Sequence, residues 1–508
     1  VDRETLKTIS MSTDFEQIAC EDVDGWMRRS MRAFEAYARQ PLSVRARLMR
    51  TIATELEACG DELIHTAMRE TNLPEARLRG ERGRTIFQLN SYADACERGD
   101  WLEVRIDRAD PAKTPPKPDI RKMLVPLGPV LVYGASNFPF AYSTAGGDTA
   151  CALAAGCSVV VKAHPAHPST SETVAGAVHR AVVACGLPED LFLHVHATAI
   201  EVGKALVTHP CTKAVGFTGS HLAGRTLFDW ACSRKDPIPV FAEMGSVNPV
   251  FLLPAKLEAD AESIARMYAG SITLGVGQFC TNPGIIIGPD GPGLDRFMET
   301  LASSIGEMQG QPMLHRGIAE GYVARKSRAL SQSGVTPIAE GRPSENDLCG
   351  VPAIATVDGR SFIENPVLHQ EVFGPFSLVV RCRDVHEMLE ASRSMEGQLT
   401  ATVMGTEDEL AHHPQLLEAV ASLCGRIILN GVPTGVEVCL SMQHGGPYPA
   451  CTDSRFTSVG ADGIKRFARP QAYQNWPDAL LPDALKDANP LSLLRTIDDM
   501  ASREAVLR

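Results

Sequence analysis

Three stretches near the start of the chain place apolar residues three and four apart, the spacing that lines one face of a helix: Asp22 to Tyr37, Leu42 to Cys59 and Asp61 to Glu70. Thr71-Asn-Leu-Pro breaks the period, and a further helix is predicted over Glu75 to Cys96. Its centre, Gly80-Glu-Arg-Gly-Arg-Thr-Ile-Phe, is basic for a packed helix, and a solvated face is the default for Arg82 and Arg84. The period then changes to two in Trp101-Leu-Glu-Val-Arg-Ile-Asp. A Pro/Lys-rich turn, Pro111 to Pro118, leads into Ile120-Arg-Lys-Met-Leu-Val-Pro, so a long hairpin projecting from the body is predicted.

From 125 to 253 short apolar runs alternate with helical segments. The strands are read at Pro129-Val-Leu-Val-Tyr-Gly, Ser158-Val-Val-Val-Lys, Leu191-Phe-Leu-His-Val, Ala214-Val-Gly-Phe and Val240-Phe-Ala-Glu, with helices from about Asp148, Ser169, Ala199 and Leu222. Such alternation makes a parallel sheet covered on both faces, with ligands beyond the carboxyl ends of its strands. Asn137, Lys162, Ser220 and Glu243 all fall just past such ends. A second α/β domain is predicted from about 255 to 440, then a strand at Ala472-Tyr-Gln-Asn-Trp and a helical tail past Asn489.

A chain of 508 residues has room for two or three domains, and 44% hydrophobic with 22% charged residues is ordinary for a globular protein. The net charge of −12 argues against nucleic acid or an anionic membrane surface as partner. No apolar run approaches the ~20 residues of a membrane span. Val1 to Ser10 is polar and charged with no leader-like core, and Met11 is a candidate start. The 14 cysteines lack C-x-x-C pairs and read as reduced thiols in a cytoplasmic protein. His164-Pro-Ala-His167 and His412-His413 have no cysteine or carboxylate at ligand spacing, so no metal site is expected.

The candidate chemistry centres on Gly275-Val-Gly-Gln-Phe-Cys-Thr-Asn-Pro-Gly284, which sets Cys280 on a tight loop as a nucleophile would be presented. Glu243 and Asn137, each ending an apolar strand, add a base and an amide donor, which together make an acyl-transfer constellation. Phe217-Thr-Gly-Ser-His-Leu-Ala-Gly224 opens a helix, and Gly219 and Gly224 let backbone N–H groups approach an anion there.

These segments, in this order, resemble the aldehyde dehydrogenases over nearly the whole chain, roughly Phe15 to Pro490. The likeness is to the branch that oxidises α-ketoglutaric semialdehyde (2,5-dioxopentanoate), with the related NADP-linked fatty aldehyde dehydrogenases as the alternative. The resemblance implies an α/β fold of two doubly wound domains with a small β oligomerisation hairpin. Cofactor-binding residues are then 11–100 and 122–254, catalytic residues 255–445, an oligomerisation region 101–121 with 446–490, and a tail 491–508. It also implies a homodimer or homotetramer acting on a small aldehyde by way of a thiohemiacetal and thioester on Cys280. Ser220 matches the phosphate-contacting serine, Lys162 the lysine on the adenosine ribose, Glu371 the nicotinamide-ribose carboxylate and Phe373 the aromatic beside the ring. NAD-preferring relatives carry a glutamate where this chain has Pro165, so Lys162 beside His164 favours NADP with NAD usable. Ile200, where relatives of this branch carry arginine, weakens that selectivity. Arg84 matches a tunnel-facing position, Phe138 the opposite wall, Ala145 a widened stretch, and His444 a position facing the tunnel. A CoA-acylating dehydrogenase would not need Glu243 as a water base, and a non-catalytic relative would not need Cys280, Glu243, Asn137 and Lys162 together.

Overall fold

A computed structural model describes residues 15–344 and 346–506; Val1 to Ser10 and the candidate start Met11 lie outside that range. Four helices come first: α1 (Val23–Tyr37), α2 (Leu42–Ala58), α3 (Gly60–Thr71) and α4 (Glu75–Arg98). Strands β1 (Arg105–Asp107) and β2 (Ile120–Pro126) pair antiparallel. The alternation predicted from Trp101 holds only from Arg105, because Trp101 and Leu102 turn inward in a 3-10 segment and are buried.

The first sheet has the order β5-β4-β3-β6-β7, all parallel, from β3 (Val130–Tyr133), β4 (Val159–Lys162), β5 (Phe192–Val195), β6 (Ala214–Thr218) and β7 (Val240–Glu243). Between them run α5 (Gly147–Ala155), α6 (Pro168–Ala184), α7 (Ile200–Thr208) and α8 (His221–Cys232). Strand periodicity sorts the side chains into two cores. Val130, Val132, Val159 and Val161 pack under α2 and α6, while Leu131, Val160, Leu193 and Val215 pack under α1, α7 and α8. The chain winds outward from β3 to β5 and then returns to β6. The carboxyl ends of β3 and β6 therefore flank the point where the winding reverses, where a crevice opens.

The second sheet has seven strands in the order Thr336–Glu340, Ala353–Asp358, Phe376–Cys382, β9 (Ile285–Pro289), β8 (Val250–Leu252), Gln398–Met404 and Cys424–Leu429. Only its first edge strand runs antiparallel. Because β8 belongs to this sheet, the second layer begins before the expected boundary at residue 255. The long helix α9 (Pro254–Thr273) then descends to the cysteine loop.

A third, five-stranded sheet joins Ala468–Gln474, β2, β1, Arg495–Ile497 and Met500–Ser502. Two expectations are corrected here. The strand near Ala472 begins at Ala468 and stops at Gln474, leaving Trp476 outside it and exposed. The tail past Asn489 is not helical: Arg495–Ile497 adds parallel to β1 and turns back into Met500–Ser502. β1 left an open edge whose backbone groups needed partners, and pairing outweighs local helical preference.

Candidate active site

Cys280 is held by a loop with unusual backbone. Gly275, Val276 and Gly277 follow one another with φ of 56°, 59° and 64°, all left-handed. A valine rarely adopts that region, so the turn is imposed by its surroundings and stores strain of roughly 1–3 kcal/mol. At Gly277 a Cβ would run into the backbone of Gly374, which adds a steric reason for glycine. Downstream, the buried Asn248 side chain donates to Cys280 O and Asn282 O, both at 2.9 Å, and accepts from Thr400 Oγ1 at 3.0 Å. That pins both sides of the nucleophile loop to the second sheet.

Cys280 Sγ lies 3.6 Å from His444 Nε2, and Nε2 lies 3.0 Å from Glu243 Oε1. Ser458 Oγ donates to the other carboxylate oxygen of Glu243 at 2.6 Å. His444 and Glu243 are both buried. Burial alone would raise the pKa of Glu243, but His444 and Ser458 outweigh it and hold the carboxyl below its usual range. The Cys280 thiol moves the opposite way: burial and the neighbouring Glu243 charge push it well above the ordinary range, with Arg84 opposing. His444, expected to face the substrate tunnel, stands between thiol and carboxylate. Asn137 follows β3 and reaches the same loop, its Nδ2 donating to Gln278 O at 3.2 Å.

Beside this cluster Phe138 packs edge-on against Tyr142 (5.2 Å) and Phe279 (5.6 Å). The Arg77 guanidinium sits 4.5 Å from the ring centres of both Phe138 and Phe279, and donates to Asn137 O at 2.8 Å. Arg84 is not on a solvated face: it lies 5.4 Å over the Tyr142 ring and donates to the Tyr142 hydroxyl at 3.2 Å. Among the described residues no carboxylate pairs with Arg84, and Nε of Arg84, NH1 of Arg77 and Nε of Arg426 are buried without hydrogen-bond partners. Glu81 underlies both, accepting from the N–H groups of Phe140 (2.8 Å) and Ala141 (3.0 Å) and so holding the loop after Asn137. Ala145 is buried in the helical core. Arg82 meets the carbonyl of Gly60 at 2.6 Å.

Toward the reversal point of the first sheet, Lys162 ends β4 with its ammonium 5.9 Å from the Tyr133 ring centre. Burial lowers its pKa to about 8, and among the described residues it has no carboxylate partner. His164 is pulled well below the usual imidazole range by burial, with His167, Lys162 and His315 adding, so it is neutral and supplies no positive charge. Its Nδ1 accepts from the N–H of Ala166 at 3.0 Å. Ser220 caps α8, accepting from Ala223 N at 3.4 Å, and a Cβ on Gly224 would lie 2.7 Å from Met244. Gly219 N donates to Glu243 O at 3.0 Å, which ties this loop to β7. Glu371 and Phe373 line a cleft with Ser246, Phe279 and Asn282. Burial lifts Glu371 to about 7, against Arg325 and the Ser246 N–H. An unpaired lysine, an open helix N-terminus and a shielded carboxylate fit the pyrophosphate and ribose hydroxyls of a dinucleotide.

Sequence reasoning missed Ser458, Asn248, Arg77 and Arg426. Arg77 was within reach, since it precedes Arg84 by two helical turns on the same face of α4. Asn248 lies only five residues after Glu243 but its side chain carries no local signal, and Ser458 and Arg426 come from distant segments.

Residues 7–448 match the model of the aldehyde dehydrogenase family. The chain is 47% identical to α-ketoglutaric semialdehyde dehydrogenase 2 of Azospirillum brasilense over 96% of this chain and 93% of that one. It is 42% identical to α-ketoglutaric semialdehyde dehydrogenase of Acinetobacter baylyi, again over 96% and 93%. Among solved structures, a 1-pyrroline-5-carboxylate dehydrogenase superposes with a TM-score of 0.77 at 21% identity, covering 90% of this chain and 86% of that chain. Proline utilization A of Bradyrhizobium japonicum superposes with a TM-score of 0.76 at 21% identity, covering 91% and 46%. These two likenesses concern the fold.

Proposed function

The chain belongs to the aldehyde dehydrogenase family, and on that premise we propose that it oxidises 2,5-dioxopentanoate to 2-oxoglutarate through a thioester on Cys280. It is an oxidoreductase acting on aldehydes, with NAD(P) as the family's cofactor. The observation that carries the reading is the meeting of Cys280, His444 and Glu243.

At rest the thiol keeps its proton, because burial and the Glu243 charge disfavour thiolate. Nε2 of His444 can take that proton, and the imidazolium formed is stabilised by the carboxylate 3.0 Å away. The thiolate adds to the aldehyde carbon, and the oxyanion is met by Asn137 Nδ2 and the Cys280 N–H. One such donor contributes roughly 3 kcal/mol. Lys162, Ser220 and Glu371 would hold the dinucleotide, with the α8 N–H groups toward its phosphates; when bound it supplies the acceptor for the hydride lost from the thiohemiacetal. Glu243, kept ionised by Ser458 and by the His444 imidazolium formed in the first step, then takes a proton from the water that attacks the thioester; the C–S bond breaks, the Cys280 sulfur recovers its proton from His444, and 2-oxoglutarate leaves. Arg84 and Arg77 are the cations suited to the carboxylate at the far end of the substrate. Pro165 in place of an acidic residue and the nearby Lys162 favour NADP over NAD. A hairpin sheet with an exposed outer strand, Ala468–Gln474, supports association into a homodimer or homotetramer.

The test is pre-steady-state oxidation of 2,5-dioxopentanoate and of hexanal. Cys280→Ser should abolish reduction of the dinucleotide, while Glu243→Gln should keep a single-turnover burst and lose steady turnover. Loss of the burst in Glu243→Gln would remove Glu243 as the hydrolytic base. A wild-type preference for long-chain aldehydes would overturn the substrate.

A further inference from the structure

His194 on β5, the outer strand of the first sheet, and His196, one residue past its end in an extended bridge with Gln17, are two residues apart, so their imidazoles leave the same face. That face is covered by α6, whereas the alternate residues Leu193 and Val195 pack toward α7 and α8. Glu172, in the second turn of α6, comes down on the pair. Its Oε2 lies 3.1 Å from His194 Nδ1 and 3.1 Å from His196 Nε2. All three donor atoms fall within 4.8 Å of one another. Of the histidines singled out in the sequence, His164, His167 and His413 gain no carboxylate partner among the described residues, and His412 meets only the exposed Asp408, at 3.6 Å.

We propose that Glu172, His194 and His196 form a binding site for one divalent transition-metal ion of the zinc type, separate from the aldehyde-oxidising centre. Ligands about 2.0–2.1 Å from a tetrahedral ion stand about 3.3 Å apart, so the two 3.1 Å edges need only a small expansion to admit one. Two imidazole nitrogens and one carboxylate oxygen suit zinc, cobalt or nickel better than magnesium or calcium, which prefer all-oxygen shells.

The surroundings are those of a ligand set. His194 Nε2 is 2.9 Å from Ser171 Oγ, which in turn is 2.5 Å from Thr144 Oγ1, and both hydroxyl residues are fully buried. A serine hydroxyl either donates or accepts, so Nε2 can carry the ring proton and leave the Nδ1 lone pair free for a metal. Phe15 stacks on His196 at 4.6 Å and 12°, fixing that ring's plane. The imidazole side chains are 4% and 11% exposed but Glu172 is 54% exposed, which leaves an entry path and room for a water as fourth ligand.

Cobalt(II) titration of the full chain tests the site. The work is done on Cys280→Ser, because Glu243, Cys280 and His444 form a second cluster of donors within 4.8 Å. The expected result is one cobalt per chain, with ligand-field bands of a low-coordinate nitrogen/oxygen site and no thiolate charge-transfer band. Glu172→Gln and His196→Gln should each weaken binding at least about tenfold, and the metal-dependent rise in unfolding temperature should vanish with it. No retained cobalt in the parent, a thiolate band in place of the nitrogen/oxygen spectrum, or unchanged affinity in both variants would overturn the proposal. The parent spectrum decides the matter even if a variant fails to fold.

Discussion

Cys280 must lose a proton that its surroundings hold, since burial and Glu243 both raise the thiol's pKa. His444 is the group placed to take it. We therefore expect His444→Gln to slow alkylation of Cys280 by iodoacetamide at neutral pH by roughly 100-fold, the usual reach of a positioned base. The rate should recover as pH rises and the thiol ionises unaided; an unchanged rate at neutral pH would leave Glu243 as the acceptor. The two arginines of α4 should separate in kinetics. Among the described residues Arg84 hydrogen-bonds only to the Tyr142 hydroxyl, so Arg84→Ala should raise KM for 2,5-dioxopentanoate far more than for hexanal, by the 2–3 kcal/mol or so of one shielded charged contact. Arg77 also holds the carbonyl of Asn137, so Arg77→Ala should lower kcat for both aldehydes. Equal effects of Arg84→Ala on the two substrates would remove it from carboxylate recognition.

At the scale of elements, the turn between β4 and α6 is the place where the proposed cofactor preference can be tested. Among the described residues of that turn Lys162 carries the one positive charge, because burial keeps both His164 and His167 neutral, and Ile200 at the start of α7 is apolar and exposed. With the lysine's pKa near 8, its ammonium is present below that value and fades above it. KM for NADP should therefore climb as pH passes through about 8, while KM for NAD changes less. Bound phosphate would move the midpoint upward. Placing a carboxylate in the same turn, Pro165→Glu, should shift the NADP/NAD ratio of kcat/KM toward NAD. A ratio that does not move in Pro165→Glu would place the 2′-phosphate away from this turn.

At the scale of the whole molecule, the tail is a structural member. Leu493 is buried against Gly99, and the fully buried Arg495 donates to Lys486 O and to Glu504 O at 3.0 Å. Truncation after Pro490 should lower the chemical-unfolding midpoint, with the lost Leu493 contact alone worth roughly 2–5 kcal/mol; an unchanged midpoint would make the tail dispensable. The same tail marks what a sequence can say. Amphipathic periods in α1 to α4 and the β/α alternation from β3 to β7 were legible because each follows from local spacing and burial on one or two faces. The placement of Cys280 on a loop and of Glu243, Asn137 and Lys162 at or past strand ends was legible because local motifs fix it. The tail strands, the transfer of β8 to the second sheet, and the arrival of His444 and Ser458 at Glu243 were not. Each depends on an edge or a buried charge created by residues outside its own segment, some of them hundreds of positions away, so only the folded chain could decide it.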